Sequence, residues 1–226
     1  MISIAVVYPQ LLGTYGDSGN GLVLYERAVR RGLAATLVHV APDEDMPDAS
    51  IYLLGGGEDG PQRVAVDLLA SSSFSSRVRD GAFVFAVCAG LQVLGDSFCV
   101  EGDDEYGGLS LVDVRTRRGP TRSVGEIMSR VHGKPLVGFE NHGGRTELGH
   151  GVEPLGDVVR GRGNDGVHDG YRQGRIWATY AHGPVLAMNP WLADELLSEL
   201  LGQAMSPLMT VADLLYRERC SALGVH

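Results

Sequence analysis

Cysteine is scarce in this chain of 226 residues, which has only three, at positions 88, 99 and 220. An odd number of cysteines, none of them spaced as Cys-x-x-Cys, argues against a disulfide framework and against a zinc site. We therefore expect no metal centre in this chain, and we expect a reducing compartment, the cytoplasm, as its location.

Positive charge is also in short supply. The 19 Lys and Arg residues are outnumbered by 28 Asp and Glu residues, which gives a formal net charge of −9. A nucleic-acid-binding protein normally presents a basic patch, so we expect no nucleic-acid partner. Long apolar runs are missing too, since none approaches the roughly 20 residues of a membrane-spanning helix. Residues 1–8 lack the basic start of a signal peptide, and we expect no membrane insertion.

What the first half of the chain does contain is a regular alternation of apolar strands and amphipathic helices. Strand patterns occur at residues 2–8, 35–40, 49–54 and 83–87, and helix patterns at 22–31 and 61–69, with Pro61 as the first helical residue. This alternation is typical of a parallel sheet with helices on both faces. The length fits a single domain over residues 1–226.

The second half of the chain has a different character. Shorter strand patterns at residues 107–116, 122–127, 135–140 and 171–180 are separated by glycine-rich turns, and helix patterns follow at 190–201 and 211–220. Short strands joined by such turns favour antiparallel pairing. The predicted fold class is therefore α/β, with an open, largely parallel sheet, helices on both faces and an antiparallel β extension.

One cysteine lies at a strand-to-helix junction. The apolar residues 83–87 predict a strand buried on both faces, Cys88 follows at once, and residues 89–94 have the composition of a helix start. Gly90 relieves crowding in such a sharp turn, and the geometry expected is a nucleophile elbow that exposes the cysteine side chain. The alternative is that Cys88 is a small buried hydrophobic residue, which is the common fate of a free cysteine.

Three further segments follow predicted strands of this sheet. In an open parallel sheet the ligand site lies beyond the carboxyl ends of the strands, where the loops 13–20 and 55–60 and His182 also fall. A cysteine and a histidine at neighbouring strand ends suggest a Cys–His pair for nucleophilic catalysis. The glycines at 55–57 can present N–H groups to an oxyanion, although a tight turn would explain them equally well.

Five motifs together resemble a known family. Residues 87–92 (VCAGLQ), 53–59 (LLGGGED) and 180–184 (YAHGP) are similar to the nucleophile turn, the oxyanion loop and the histidine turn of the class I, triad-type glutamine amidotransferases. Residues 138–144 (GFENHGG) and 15–20 (YGDSGN) are similar to the cobyric-acid-synthase-like branch of that class. The resemblance covers residues 2–200 and implies the class I glutamine amidotransferase fold.

The resemblance also implies a role for each matched residue. Cys88 would attack the side-chain amide of L-glutamine, His182 would transfer protons, and the backbone N–H groups near Gly57 and Ala89 would hold the oxyanion. Arg122 matches the position of a glutamine-binding arginine, and its guanidinium suits bidentate binding of the α-carboxylate. Without the family, Arg122 reads as a solvated charge at a strand end. Gln92 would contact substrate or support the elbow.

The chain departs from the family pattern at one place. Triad amidotransferases usually carry His-x-Glu at the histidine turn, but position 184 is Pro, which leaves a Cys–His dyad without its orienting acid. Either a partner subunit supplies a carboxylate, and the isolated chain is then a poor glutaminase, or an internal one serves. The internal candidates are Asp17, Glu58, Asp59 and Glu140, all near predicted strand ends.

Within this branch the resemblance is to glutaminase subunits that form a heterodimer with the Mur-ligase-like protein MurT. Together the two subunits amidate the D-glutamate of lipid II to D-isoglutamine during peptidoglycan synthesis. ATP and magnesium are then expected on the partner, and no cofactor is expected in this chain. A corrinoid acid as the ammonia acceptor, a stand-alone cysteine hydrolase resembling DJ-1, and a non-catalytic subunit are the alternatives.

Overall fold

The structure is a computed structural model that describes residues 1–99 and 104–225. In chain order its elements are β1 (Ile2–Val7), α1 (Gly19–Val29), β2 (Ala35–Val40), β3 (Ile51–Leu54), α2 (Asp59–Ser71), α3 (Phe74–Arg79), β4 (Phe83–Val87), α4 (Ala89–Val93), β5 (Ser97–Cys99), β6 (Glu105–Gly107), β7 (Val114–Val131), β8 (Lys134–Leu148), β9 (Gly156–Arg160), β10 (His168–Asp169), β11 (Tyr171–Gln173), β12 (Ile176–Thr179), α5 (Val185–Met188), α6 (Pro190–Leu201) and α7 (Val211–Ala222).

The first sheet has six strands in the order β11-β12-β4-β3-β1-β2, and all but β11 run parallel to their neighbours. Every residue of β3, β4 and β12 is buried. Apolar side chains point to both faces of these strands, because a parallel sheet is covered by other parts of the protein on each face. This sheet brings the carboxyl ends of β3, β4 and β12 together along one edge.

The second sheet is built around the long hairpin of β7 and β8. The hairpin pairs with β9 and β5, and through them with β10 and β6. Its register breaks between Arg118 and Ser123, where β7 carries four residues, 119–122, opposite the single Gly143 of β8. The predicted antiparallel extension is thus a sheet of its own, and the predicted α/β class with a largely parallel sheet is confirmed.

Several predicted element boundaries are wrong. Residues 107–116 do not form one strand, because β6 ends at Gly107 and β7 begins only at Val114 and continues unbroken to Val131. Residues 171–180 form the hairpin of β11 and β12, which turns at Gly174 with a positive φ of 56°. Helix α2 begins at Asp59, two residues before Pro61, and no prediction covers α3, β5, β9, β10 or α5.

The last helix is tied to the rest of the fold by a cluster of charges. The buried guanidinium of Arg27 on α1 bonds Asp194 of α6 at 2.6 Å and Asp213 of α7 at 3.1 Å. A charge this deep in the protein needs such partners, so the cluster holds α7 against α1 and α6. Among the described residues, no helix has the length and apolarity needed to cross a membrane.

Candidate active site

Four loops meet at the carboxyl edge of the first sheet. The chain leaves β1 toward Asp17, leaves β3 through residues 55–57, leaves β4 at Cys88 and leaves β12 toward His182. Strands β4 and β12 are neighbours, and the Cys88 N–H donates to the Thr179 carbonyl oxygen at 3.0 Å. The predicted meeting of these loops is therefore present in the structure, at the place where open parallel sheets bind ligands.

Cys88 adopts the strained backbone of a nucleophile elbow. Its φ of 51° and ψ of −106° lie outside the regions that non-glycine residues favour, which costs on the order of 1–3 kcal/mol. The chain can turn this sharply because residue 90 is glycine. A Cβ on Gly90 would lie 2.8 Å from the Leu54 carbonyl oxygen. The turn places the Cys88 thiol, largely buried, on the wall of a cavity.

His182 is fully buried and faces a carboxylate of the same chain. Its Nδ1 lies 2.9 Å from Oδ2 of Asp17, which is also buried. The same oxygen accepts a hydrogen bond from the Gly56 N–H at 2.9 Å, which fixes the carboxylate. A side chain at Gly56 would meet the imidazole, because its Cβ would lie 2.5 Å from His182 Cε1.

Two aromatic rings hold the imidazole in place. Tyr15 lies 4.4 Å from His182 between ring centroids, and Phe139 stacks on it at 5.3 Å. Burial disfavours the imidazolium, but the hydrogen bond with Asp17 and the adjacent Cys88 outweigh it and raise the pKa of His182 to about 9. Within the described ranges 1–99 and 104–225, its buried Nε2 has no hydrogen-bond partner other than Cys88. With Nδ1 bound to Asp17, Nε2 is the nitrogen available for proton transfer.

Of the four internal carboxylates predicted as rivals, the structure brings Asp17 to His182. Glu140 instead accepts hydrogen bonds from the N–H groups of Arg162 and Gly163, and it contacts His142 at 3.2 Å. Glu58 and Asp59 are exposed. The expectation that a partner's carboxylate is needed thus loses its premise, because Asp17, 165 residues before His182 in the chain, takes the place of the acid missing from position 184.

Sequence reasoning missed why two of the motifs matter. The YGDSGN stretch supplies both Tyr15 and Asp17, and the GFENHGG stretch supplies Phe139, which also pairs with His182 through two backbone hydrogen bonds. Asp17 is among the carboxylates that the sequence predicts as candidates to orient His182, but spacing along the chain gives no sign that Tyr15 and Phe139 enclose its ring.

A cavity of about 180 Å³ opens beside Cys88. Its lining includes the other predicted site residues, Gly57, Ala89, Gln92 and Arg122. In the part of the chain that the structure describes, the backbone N–H groups of Gly57 and Ala89 make no hydrogen bond. Both donors therefore remain available to an oxyanion formed next to the thiol.

Arg122 reaches this cavity from the bulge of β7. Its Nε donates to the Asn141 side-chain oxygen at 2.7 Å, and the Asn141 amide nitrogen donates to the Tyr15 hydroxyl at 2.9 Å. A guanidinium has five N–H groups, and Asn141 accepts from Nε and Nη2 on one side of it, so further N–H groups of Arg122 can bind an anion. This arrangement agrees with a carboxylate-binding role.

Gln92 is engaged at both ends of its amide. Its Nε2 donates to the Tyr180 hydroxyl at 3.1 Å, and its Oε1 accepts from the Gln62 amide at 2.9 Å. The Tyr180 hydroxyl continues the chain to Thr146 at 2.7 Å. Of the two roles expected for Gln92, these contacts favour support of the elbow.

Comparison with known proteins agrees with this geometry. The model of the CobB/CobQ-like glutamine amidotransferase domain matches residues 3–190. The GatD subunit of lipid II isoglutaminyl synthase from Streptococcus pneumoniae is 33% identical over 88% of this chain and 80% of its own length. The GatD subunit from Staphylococcus aureus is 33% identical over 83% of this chain and 79% of its own length.

A solved structure described as a glutamine amidotransferase has the same fold. Its TM-score is 0.62 at 22% identity, and the match covers 87% of this chain and 98% of that one. We conclude that the chain belongs to the CobB/CobQ-like glutamine amidotransferase family and is itself a glutamine amidotransferase.

Proposed function

We propose that this chain hydrolyses L-glutamine with Cys88 as the nucleophile, His182 as the general base and acid, and Asp17 as the positioning carboxylate. The observation that carries the proposal is the His182–Asp17 pair beside the Cys88 elbow. Cysteine is a strong nucleophile only as a thiolate, so it needs a neighbouring base that can take its proton. Nε2 of His182 is that base.

The reaction begins when Cys88 gives its proton to His182 and its sulfur attacks the amide carbon. The carbonyl electrons move to oxygen, and the N–H groups of Gly57 and Ala89 stabilise the resulting oxyanion. As the intermediate collapses, the carbon–nitrogen bond breaks and the imidazolium returns the proton to the departing ammonia. The product of this half-reaction is a γ-glutamyl thioester on Cys88.

Water completes the cycle through the same residues. His182 removes a proton from water as the oxygen attacks the thioester, and collapse of the second intermediate expels the Cys88 sulfur and releases glutamate. Asp17 holds the imidazole so that Nδ1 carries the hydrogen and Nε2 faces the sulfur. Without Asp17 the imidazole would not be held in one tautomer. In a serine protease, changing the equivalent acid to Asn lowered kcat about 10⁴-fold.

In this proposal the ammonia passes to a Mur-ligase-like partner, MurT, in a heterodimer. The partner would bind ATP and magnesium and amidate the D-glutamate of lipid II to D-isoglutamine. The support is that two relatives at 33% identity are named as subunits of lipid II isoglutaminyl synthase.

The test is ammonia release from L-glutamine by the purified chain, alone and with its partner. Cys88→Ala is expected to abolish release while the circular dichroism spectrum stays native. Cys220→Ala is the matched control, because Cys220 lies on α7 outside the cavity, and it should keep its activity. Cys99 lines the cavity and makes a poorer control. Glutaminase activity that survives in Cys88→Ala would refute the mechanism.

A corrinoid acid is the second candidate acceptor, because the family model that matches the chain is CobB/CobQ-like. The acceptor is chosen by the synthetase, so the reconstituted complex has to decide. Formation of D-isoglutamine in lipid II, measured by mass spectrometry, is expected with glutamine and ATP. Amidation of a corrinoid acid instead would reassign the pathway and leave the glutaminase mechanism intact.

A further inference from the structure

Glu58 presents a carboxylate at the cavity without a partner. It immediately precedes α2 in the helix-capping position, yet its side chain makes no capping hydrogen bond. Across residues 1–99 and 104–225, this carboxylate forms neither an ion pair nor a side-chain hydrogen bond. Glu58 nevertheless lines the same cavity as Cys88 and Arg122. An acidic group held at a substrate cavity and left unpaired is free to bind a cation from solution.

The charges of Glu58 and Arg122 both affect the hydroxyl group of Tyr15. Burial raises the pKa of the Tyr15 hydroxyl, the charge of Glu58 raises it further, and Arg122 lowers it. One tyrosine therefore lies within reach of both an anion and a cation of the cavity wall. The two opposite charges suit a ligand that carries both signs at short distance.

Free L-glutamine is such a ligand. With its side-chain amide at Cys88 and its α-carboxylate at Arg122, its α-ammonium group still needs an acceptor, since an unpaired charge at a protein surface cavity loses part of its hydration. Asp17 is committed to His182, and Glu140 is committed to two backbone N–H groups and His142. Among the described residues, Glu58 and Asp59 are the carboxylates that line the cavity, and of these two it is the charge of Glu58 that affects the Tyr15 hydroxyl.

We propose that Glu58 binds the α-ammonium group of glutamine and, with Arg122, selects a free amino acid over other amides. This inference rests on the proposed glutaminase function. A γ-glutamyl amide without the ammonium group would gain nothing from Glu58. A glutamine residue inside a peptide would lose both charges that the cavity recognises.

The test compares two substrates of the full chain, with its partner subunit present throughout. L-glutamine carries the ammonium group, and glutaramate, 5-amino-5-oxopentanoate, has hydrogen in its place. Glu58→Gln should raise KM for L-glutamine about tenfold with little change in kcat, because a hydrogen bond between charged groups at an exposed position is modest in strength. The same variant should leave KM for glutaramate unchanged. If glutaramate is not hydrolysed, its inhibition constant replaces KM.

Two further variants complete the experiment. Asp67→Asn, on the same helix but outside the cavity, removes one negative charge from α2 and should behave as wild type. Asp59→Asn tests the rival carboxylate. Equal effects of Glu58→Gln on both substrates, or an ammonium-specific effect in Asp59→Asn alone, would overturn the inference and leave the glutaminase intact. Wild-type protein that does not hydrolyse glutamine would overturn the proposed function and this inference with it.

Discussion

The residue that decides the chemistry of the site is His182, because its ring is buried against a carboxylate. A buried imidazole without a partner would be held neutral, since burial disfavours its charged form. The interactions with Asp17 and Cys88 outweigh this effect of burial and raise the pKa of His182 to about 9. The base of the mechanism is thus set by a contact between residues far apart in the chain.

The same contact predicts how stability depends on pH. The folded-state pKa of His182 is raised from 6.5 to about 9. The protonated imidazole therefore adds to the free energy of unfolding fully below about pH 6.5, and this stabilisation is lost as pH rises through about 9. The contribution is on the order of 3 kcal/mol at most, since one pKa unit is worth about 1.4 kcal/mol. Urea unfolding between pH 6 and 9.5 should show wild type losing its advantage over Asp17→Asn. A difference that does not vary with pH would show that the pair does not titrate in this range.

Substrate binding gives a second prediction at the scale of one residue. Arg122→Ala should raise KM for glutamine by about 10- to 150-fold, because a hydrogen bond between charged groups is worth roughly 1.5–3 kcal/mol. Alkylation of Cys88 by iodoacetamide, which is neutral, should continue at the wild-type rate. Arg130→Ala removes a guanidinium from the other end of β7 and serves as the control. An unchanged KM in Arg122→Ala would return this arginine to the solvated surface.

The role of a single residue could be predicted from the sequence where a local pattern around it indicated its structure. The apolar strand before Cys88 and the glycine two residues later specify an elbow, and both are present in the structure. Asp17 was only one of four candidate acids. Its contact with His182 depends on how β1 and β12 are placed in the sheet, which a single sequence does not encode in any spacing.

At the scale of an element, the elbow depends on how closely α4 approaches the end of β3. Gly90 makes this approach possible, and Gly90→Ala would place a methyl group 2.8 Å from the Leu54 carbonyl oxygen. We expect a loss of about 1–3 kcal/mol in the free energy of unfolding, and lower activity, because overpacking shifts the backbone.

Gly60 offers a matched control for this prediction. It lies in α2 with no atom within 4 Å of its hypothetical Cβ, so Gly60→Ala should be neutral or stabilising by up to about 1 kcal/mol. Urea unfolding of both variants measures the difference. Equal stability of Gly90→Ala and Gly60→Ala would mean that the elbow tolerates a side chain at position 90.

How well a strand could be predicted from the sequence depended on how deeply it is buried. Strands β1, β2, β3 and β4 were predicted nearly to the residue, because apolar runs bounded by loops mark them clearly. The sequence predicts separate short strands where the structure has the single strand β7. This strand is half exposed, contains Gly119 and Pro120, and bulges between Arg118 and Ser123. Partner strands stabilise such a strand more than its own sequence pattern does.

At the scale of the whole molecule, the two sheets meet at the site. The first sheet supplies the ends of β4 and β12, with Cys88 and His182. The second supplies Phe139 from β8 and Arg122 from the bulge of β7. The hairpin that looked like an addition to the sheet therefore forms one wall of the cavity. The charge cluster of Arg27 secures α7, which lies beyond the residues matched by the family model.

The central claim is that this one chain holds the nucleophile, the base and the acid that positions the base. The most direct measurement is steady-state ammonia release from L-glutamine by the isolated chain, comparing wild type with Asp17→Asn. The account predicts that wild type turns over without a partner, and that Asp17→Asn lowers kcat by about 10²- to 10⁴-fold with KM nearly unchanged. Full turnover by Asp17→Asn, or wild-type turnover that appears only when a partner carboxylate is added, would contradict it.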